Sequence, residues 1–180
     1  TYGDWSSDVC SSDLFGKPPH NFPAFTASVC NLRPTSRGHV SIKSTDPRVQ
    51  PAIAPNYLAT EEDRKVAIDA IRLTRRIVLE SEALKPHSPE EFMPGPSFQT
   101  DEELVKAAGN IGTTIFHPVG TCKMGSASDP SAVVDTDFKV RGIERLRVID
   151  ASIMPTITSG NTNAPTYMIA ERGAAVVMRK

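Results

Sequence analysis

Fifteen prolines are spread through a chain of 180 residues, about 8% against an average near 5%. Each proline fixes its own φ, removes a backbone donor and biases the residue before it away from the helical region. Runs such as RPTSRG, STDPRVQP and MPGP therefore interrupt regular structure repeatedly and predict a loop-rich fold of short elements. The length suits one domain, or one domain with part of another.

Charge narrows the partners. With 20 Lys and Arg against 21 Asp and Glu, and no long run of either sign, the chain lacks the basic footprint of a nucleic-acid or anionic-membrane binder. A small or neutral partner is expected. No apolar run approaches the ~18 residues of a membrane span, and the N-terminus has no basic stretch followed by an apolar one, so a soluble chain is expected. Cys10, Cys30 and Cys122 cannot all pair, and none has a C-x-x-C partner. Reduced, buried thiols are the expectation, and with them a cytoplasmic setting. Residues 1–14, TYGDWSSDVCSSDL, show neither helical nor strand period and read as a disordered or foreign leader.

From Ala27 onward the pattern becomes regular. SVCNL (Ser28–Leu32) and HVSIK (His39–Lys43) alternate apolar and polar residues on either side of RPTSRG, which predicts a hairpin. STDPRVQPAIAPNYL is expected to run on as an extended connection. Thr60 before Glu61, Glu62 and Asp63 is a helix start. Val66, Ala70, Leu73 and Ile77 would form the apolar face of a helix over about residues 61–80, with Lys65, Asp69, Arg72 and Arg76 on the other side. A second helix is expected from after Thr100 to Gly109, and a strand over Leu146–Ile149. After the loop DASIMPTITSGNTNAP comes a terminal helix, with Asn163 as its cap and Ala164-Pro165 in its first turn.

Two stretches bear chemistry. In TIFHPVGTCKMG, Thr114–Gly125, a histidine lies five residues ahead of a cysteine. His20, His39, His87 and His117 offer no i, i+4 pair and no acidic neighbour at ligand spacing, so no metal site is expected. Cys122 as a nucleophile would want a helix N-terminus or a nearby cation. Lys123 is adjacent, but neighbours on an extended segment face opposite sides, and a structural thiol is expected. His117 taken alone suits either a structural histidine or a general base. The second stretch is RVID followed by a loop that delivers Asn161 and Asn163 to the start of a helix. Unpaired N–H groups and partial positive charge make such a start a place for an anionic or electron-rich group, although both asparagines are also ordinary cap and turn residues.

RPTSRGHVSIKSTDP with PAIAPNYL, FHPVGTCKMG, and LRVIDASIMPTITSGNTNAPTYMIAERGA follow one another in this order. Together they resemble the C-terminal part of the GMC (glucose-methanol-choline) flavin oxidoreductases, and look closest to the choline-dehydrogenase-like alcohol dehydrogenases. The resemblance covers nearly everything after Phe22. It implies an α+β fold in which residues 22–145 are an antiparallel sheet with helices from the substrate domain. Residues 146–180 would be the returning strand, active-site loop and last helix of the FAD-binding domain. It implies FAD as cofactor and an alcohol as substrate, with hydride passing from the carbinol carbon to flavin N5. His117 would then be the general base that takes the hydroxyl proton, a task suited to a neutral imidazole. Asn161, the family's second active-site position, would hydrogen-bond the substrate oxygen. Asp150 and Ala151 would lie along the FAD. Thr162 and Asn163, with Asn161, would face the pyrimidine side of the flavin, where a helix N-terminus favours the negative charge of the reduced state.

The family's opening strand, G-x-G-x-x-G loop and helix, which grip the ADP part of FAD, have no counterpart: no G-x-G-x-x-G occurs in the sequence. The resemblance therefore implies a C-terminal fragment whose partner is a missing N-terminal FAD-binding portion. Two readings compete with it. One is a non-catalytic truncated chain, or a module that pairs with a separate FAD-binding half. The other is a Cys-His hydrolase on Cys122 and His117, disfavoured because no G-x-C-x-G-like elbow or third orienting group is evident.

Overall fold

The computed structural model describes residues 21–179, which divide into two compact units. Residues 21–31 with Tyr57–Ile115 form the first, and Leu32–Asn56 with residues 116–179 the second. The expected leader at residues 1–14, with Cys10 and His20, lies outside the described residues. Regular structure is sparse, as the prolines require. The described residues form strands β1 (His39–Ser41) and β2 (Ala52–Ala54), helices α1 (Glu61–Leu79), α2 (Asp101–Ile111) and α3 (Asn163–Met178), and short 3-10 turns at Lys85–His87 and Ala151–Ile153. The class is α+β, with a two-stranded antiparallel sheet. No helix among the described residues is long and apolar enough to cross a membrane.

In the first unit α1 starts where its local chemistry says. Thr60 Oγ1 accepts the Asp63 amide at 3.3 Å, and Glu61, Glu62 and Asp63 place negative charge on the positive helix end. Its inward face differs from the expected one. Ile68 is buried beside half-buried Ala67, Ala70, Ile71, Thr74, Arg75 and Val78, so Ala70 faces inward as expected, whereas Val66, Leu73 and Ile77 are exposed. The stripe is turned by one residue because Arg75 belongs to it. Its guanidinium meets Glu91 through two bonds of 2.9 Å and donates to Phe98 O and Gly95 O, so a charge replaces apolar contact on that face. Asp63 is buried as well, and receives Asn31 Nδ2 at 3.0 Å. α2 opens with a full capping box between Thr100 and Glu103, and packs on α1 with Leu104 and Ala107 buried. It runs through Gly109 and stops at Gly112, whose amide reaches Ala108 O at 2.8 Å.

In the second unit the strand pairing also departs from expectation. β1 pairs with β2, His39 opposite Ala54 and Ser41 opposite Ala52, while Ser28–Leu32 forms no strand. The decisive residue is Gly38: a Cβ there would lie 2.1 Å from Ala54 O and 2.6 Å from Pro55 O, an approach that only glycine permits. Pro51 and Pro55 bracket β2 and keep it short. Leu146–Ile149 is no regular strand either. It makes one isolated bridge, Lys139 with Arg147, and its amide and carbonyl groups are otherwise met singly, Val148 N by Phe138 O and Leu146 O by Val140 N. The core comprises Val134, Phe138, Ile153, Met154 and Ile169, flanked by Val119, Met124, Val140, Val148 and Ile149.

α3 contributes Ile169 to that core and rests Gly173 on Ile149. Its other sides leave Tyr167, Met168, Val177 and Met178 exposed. A Cβ on Gly173 would fall 2.2 Å from Ile149 Cγ2 and 3.0 Å from its Cδ1, so the whole side chain would have to move. Gly173→Ala gains about 1 kcal/mol of helix propensity, yet overpacking costs about 1–3 kcal/mol. The expected outcome is a net loss of stability in denaturant melts, with Gly160→Ala, where a Cβ meets nothing within 4 Å, as the near-neutral control.

Candidate active site

His117 enters from a strained approach. Phe116 before it has φ +62° and Gly120 after it φ +90°, and a Cβ at Gly120 would sit 3.4 Å from Met154 O. Beyond Gly120 the backbone is laced to the segment that follows Asp150: Cys122 N donates to Ser152 O at 3.0 Å and Met124 N to Ile153 O at 2.8 Å. Asp150 caps that segment, its Oδ1 accepting the Ser152 amide at 2.8 Å and the Ser152 hydroxyl. The Asp150 carboxylate thus serves the turn, and Ala151 beside it is half-buried.

The loop ahead of α3 returns to the histidine. Thr162 Oγ1 lies 3.0 Å from His117 Nδ1, across 45 residues of sequence. At the other end of the loop, Ser159 takes φ +60° and its Oγ accepts Arg33 Nε at 2.9 Å. Asn161 lies between these two anchors and is exposed, as is Asn163, whereas Thr162 is buried. The cap assignment changes with this geometry. Thr162, not Asn163, is the N-cap of α3, and it makes no side-chain capping bond because its hydroxyl is directed at His117. Asn163 is the first helical residue. The first turn of α3 contains no acid, unlike those of α1 and α2, so its positive end stays uncompensated by its own side chains.

Around this pair the remaining candidates fall away. Among the described residues no group of three His, Cys, Asp or Glu is placed to hold a metal ion. His39 and His87 are exposed on β1 and in the first 3-10 turn. Cys122 is half-buried and Cys30 is exposed, both free; the expectation of buried thiols fails for Cys30 because the SVCNL segment joins no sheet that would cover it. Lys123 turns its ammonium to Asp129 Oδ2 at 2.8 Å and to Ser131 Oγ at 2.9 Å. That ammonium, with the Ser131 hydroxyl and amide, holds the Asp129 carboxyl well below the usual carboxylate range.

The family model for GMC oxidoreductase matches residues 34–170. This chain belongs to the GMC oxidoreductase family. It is 46% identical over 156 residues to an alcohol dehydrogenase [acceptor] of Pseudomonas putida, covering 87% of this chain and 28% of that protein. Against the mitochondrial choline dehydrogenase of Mus musculus it is 45% identical over 162 residues, covering 90% of this chain and 27% of the relative. Among solved structures, a formate oxidase variant from Aspergillus oryzae, studied for its FAD modification, superposes with a TM-score of 0.77 at 30% identity, over 87% of this chain and 28% of that one. The chain thus spans little more than a quarter of the length of these relatives.

Within this GMC chain, two contributors escaped sequence reasoning. Arg33 read as part of a turn, and its tie to Ser159 spans 126 residues, beyond any local signal. Thr162 reads as a residue that faces the flavin, and the engagement of its hydroxyl with His117, across 45 residues, has no local signal either. With Lys123 committed to Asp129 and Ser131, nothing marks Cys122 as a nucleophile. Iodoacetamide labelling followed by mass spectrometry should therefore modify exposed Cys30 before half-buried Cys122; the reverse order would revive the Cys-His reading.

Proposed function

We propose that this chain supplies the proton acceptor and the flavin-facing helix end of an FAD-dependent GMC enzyme that oxidises a primary alcohol. The observation that carries the proposal is the bond between Thr162 Oγ1 and His117 Nδ1. It occupies one ring nitrogen and leaves Nε2 without a protein partner among the described residues, available to a substrate hydroxyl. FAD, when bound, supplies the hydride acceptor at N5. The residues present suit that group: the α3 N-terminus has neither an acid in its first turn nor a side-chain cap, which fits an electron-rich ring edge placed there. Asn161, Thr162 and Asn163 form this helix start, and Asp150 with Ala151 forms the turn beside it that would lie along the cofactor.

His117 Nε2 takes the proton as the alcohol O–H bond breaks, and the electron pair left on oxygen expels hydride from the carbon. Exposed Asn161 donates to that oxygen as negative charge builds on it, which is where such a donor matters most. The grip on the ADP part of FAD comes from outside these 180 residues, so the chain alone is proposed not to retain the cofactor. The exposed apolar residues of α3, Tyr167, Met168, Val177 and Met178, suit packing against that portion. A cytoplasmic setting, inferred from the free thiols of Cys30 and Cys122, belongs to the same proposal.

In the FAD-loaded protein, His117→Ala should slow anaerobic flavin reduction by an alcohol about 10² to 10⁴-fold, the usual contribution of a positioned general base, with flavin content unchanged. Asn161→Ala should slow the same step, and Asn161→His should slow it less. Collapse of flavin binding with an unchanged reduction rate would make His117 structural, and would favour the reading of the chain as a non-catalytic module.

A further inference from the structure

We infer that Thr162 is a positioning residue that fixes the tautomer of His117, with Nδ1 protonated and Nε2 bare, and that Pro165 is what frees its hydroxyl for this work. The inference deepens the proposed function and rests on the reading of His117 as the proton acceptor. Threonine stands at the N-cap of all three helices among the described residues. Thr60 Oγ1 accepts the amide of Asp63 at 3.3 Å and Thr100 Oγ1 that of Glu103 at 3.3 Å, each from the third residue of its helix. The equivalent residue of α3 is Pro165, which has no N–H to give.

The backbone follows the same division. Thr60 and Thr100 hold the extended conformation of a capping residue, with ψ of 152° and 159°. Thr162 has φ −87° and ψ 0°, so its side chain leaves the helix end. Its carbonyl remains in helix service, accepting Thr166 N at 3.0 Å and Thr166 Oγ1 at 2.6 Å. Only Oγ1 is diverted, and it is buried where it meets Nδ1.

A hydroxyl at that nitrogen can accept from Nδ1–H or donate to a bare Nδ1. When Oγ1 accepts, Nε2 holds a lone pair toward the alcohol, and after Nε2 takes the proton the Nδ1–H bond to Oγ1 is still in place. When Oγ1 donates, Nε2 already bears the hydrogen and cannot act. Only the accepting arrangement serves both charge states without a rearrangement, and second partners that fix a histidine tautomer in this way are a general device.

The test is long-range ¹H–¹⁵N correlation on the full chain labelled with ¹⁵N-histidine, with the His117 ring assigned by His117→Gln. Wild type should show His117 protonated at Nδ1 and bare at Nε2. Thr162→Val should lose that signature and Thr162→Ser should keep it. In the FAD-loaded protein, Thr162→Val should slow flavin reduction about 10 to 100-fold, and Thr162→Ser should recover most of the rate. A wild-type ring protonated at Nε2 overturns the inference whether or not a variant folds, and so does a Thr162→Val ring that keeps the wild-type signature. Failure of the proposed function is read separately, from an undiminished rate of flavin reduction in His117→Ala.

Discussion

Two amide bonds, from Cys122 N to Ser152 O and from Met124 N to Ile153 O, decide where the parts of the second unit meet. They lay the histidine segment along the turn that follows Asp150, and so put His117 within reach of the loop that leads into α3. Each such bond is worth only ~1 kcal/mol net, while burying one large apolar side chain is worth about 1.5–3 kcal/mol. Packing of Val134, Phe138, Ile153, Met154 and Ile169 therefore holds the unit together, and the amides set its register. Arg33 on Ser159 and Thr162 on His117 then fasten the loop at both ends.

The three α-helix starts among the described residues divide labour along the same line. α1 and α2 are capped: a threonine hydroxyl accepts the amide of the third helical residue, and acids in the first turn face the positive helix end. α3 forgoes both, giving up roughly 1 kcal/mol of capping, and it does so where the Thr162 hydroxyl meets His117. A local rule broken at one site and obeyed elsewhere is the pattern expected where function competes with stability.

What was legible in the sequence follows from the range of the interactions. The starts of α1 and α2 depend on Thr60 and Thr100 and the three residues after each, and both were readable. The partner of β1 was not, because it turns on the close approach of Gly38 to Ala54 and Pro55, and the alternation in SVCNL mimicked a strand that nothing covers. The inward face of α1 was misplaced by one residue because a paired Arg75 replaces the apolar residue that periodicity assumes. His117 and Asn161 became candidates through resemblance to a family rather than through spacing. The diverted cap did leave a trace, since a proline three residues after a capping threonine leaves that hydroxyl without its usual donor.

The chain belongs to the GMC oxidoreductase family and spans little more than a quarter of the relatives, and the central claim proposed for it is that His117 stands where proton and hydride part in a flavin enzyme. The most direct measurement of that claim is a crystal structure of the FAD-loaded protein with a tertiary alcohol, which binds as substrate does and has no carbinol hydride to lose. The account predicts the hydroxyl oxygen within about 2.6–3.2 Å of His117 Nε2, with the Asn161 amide on the same oxygen and Thr162 still on Nδ1. An alcohol seated elsewhere, or a His117 ring turned away from it toward the core, would contradict the account.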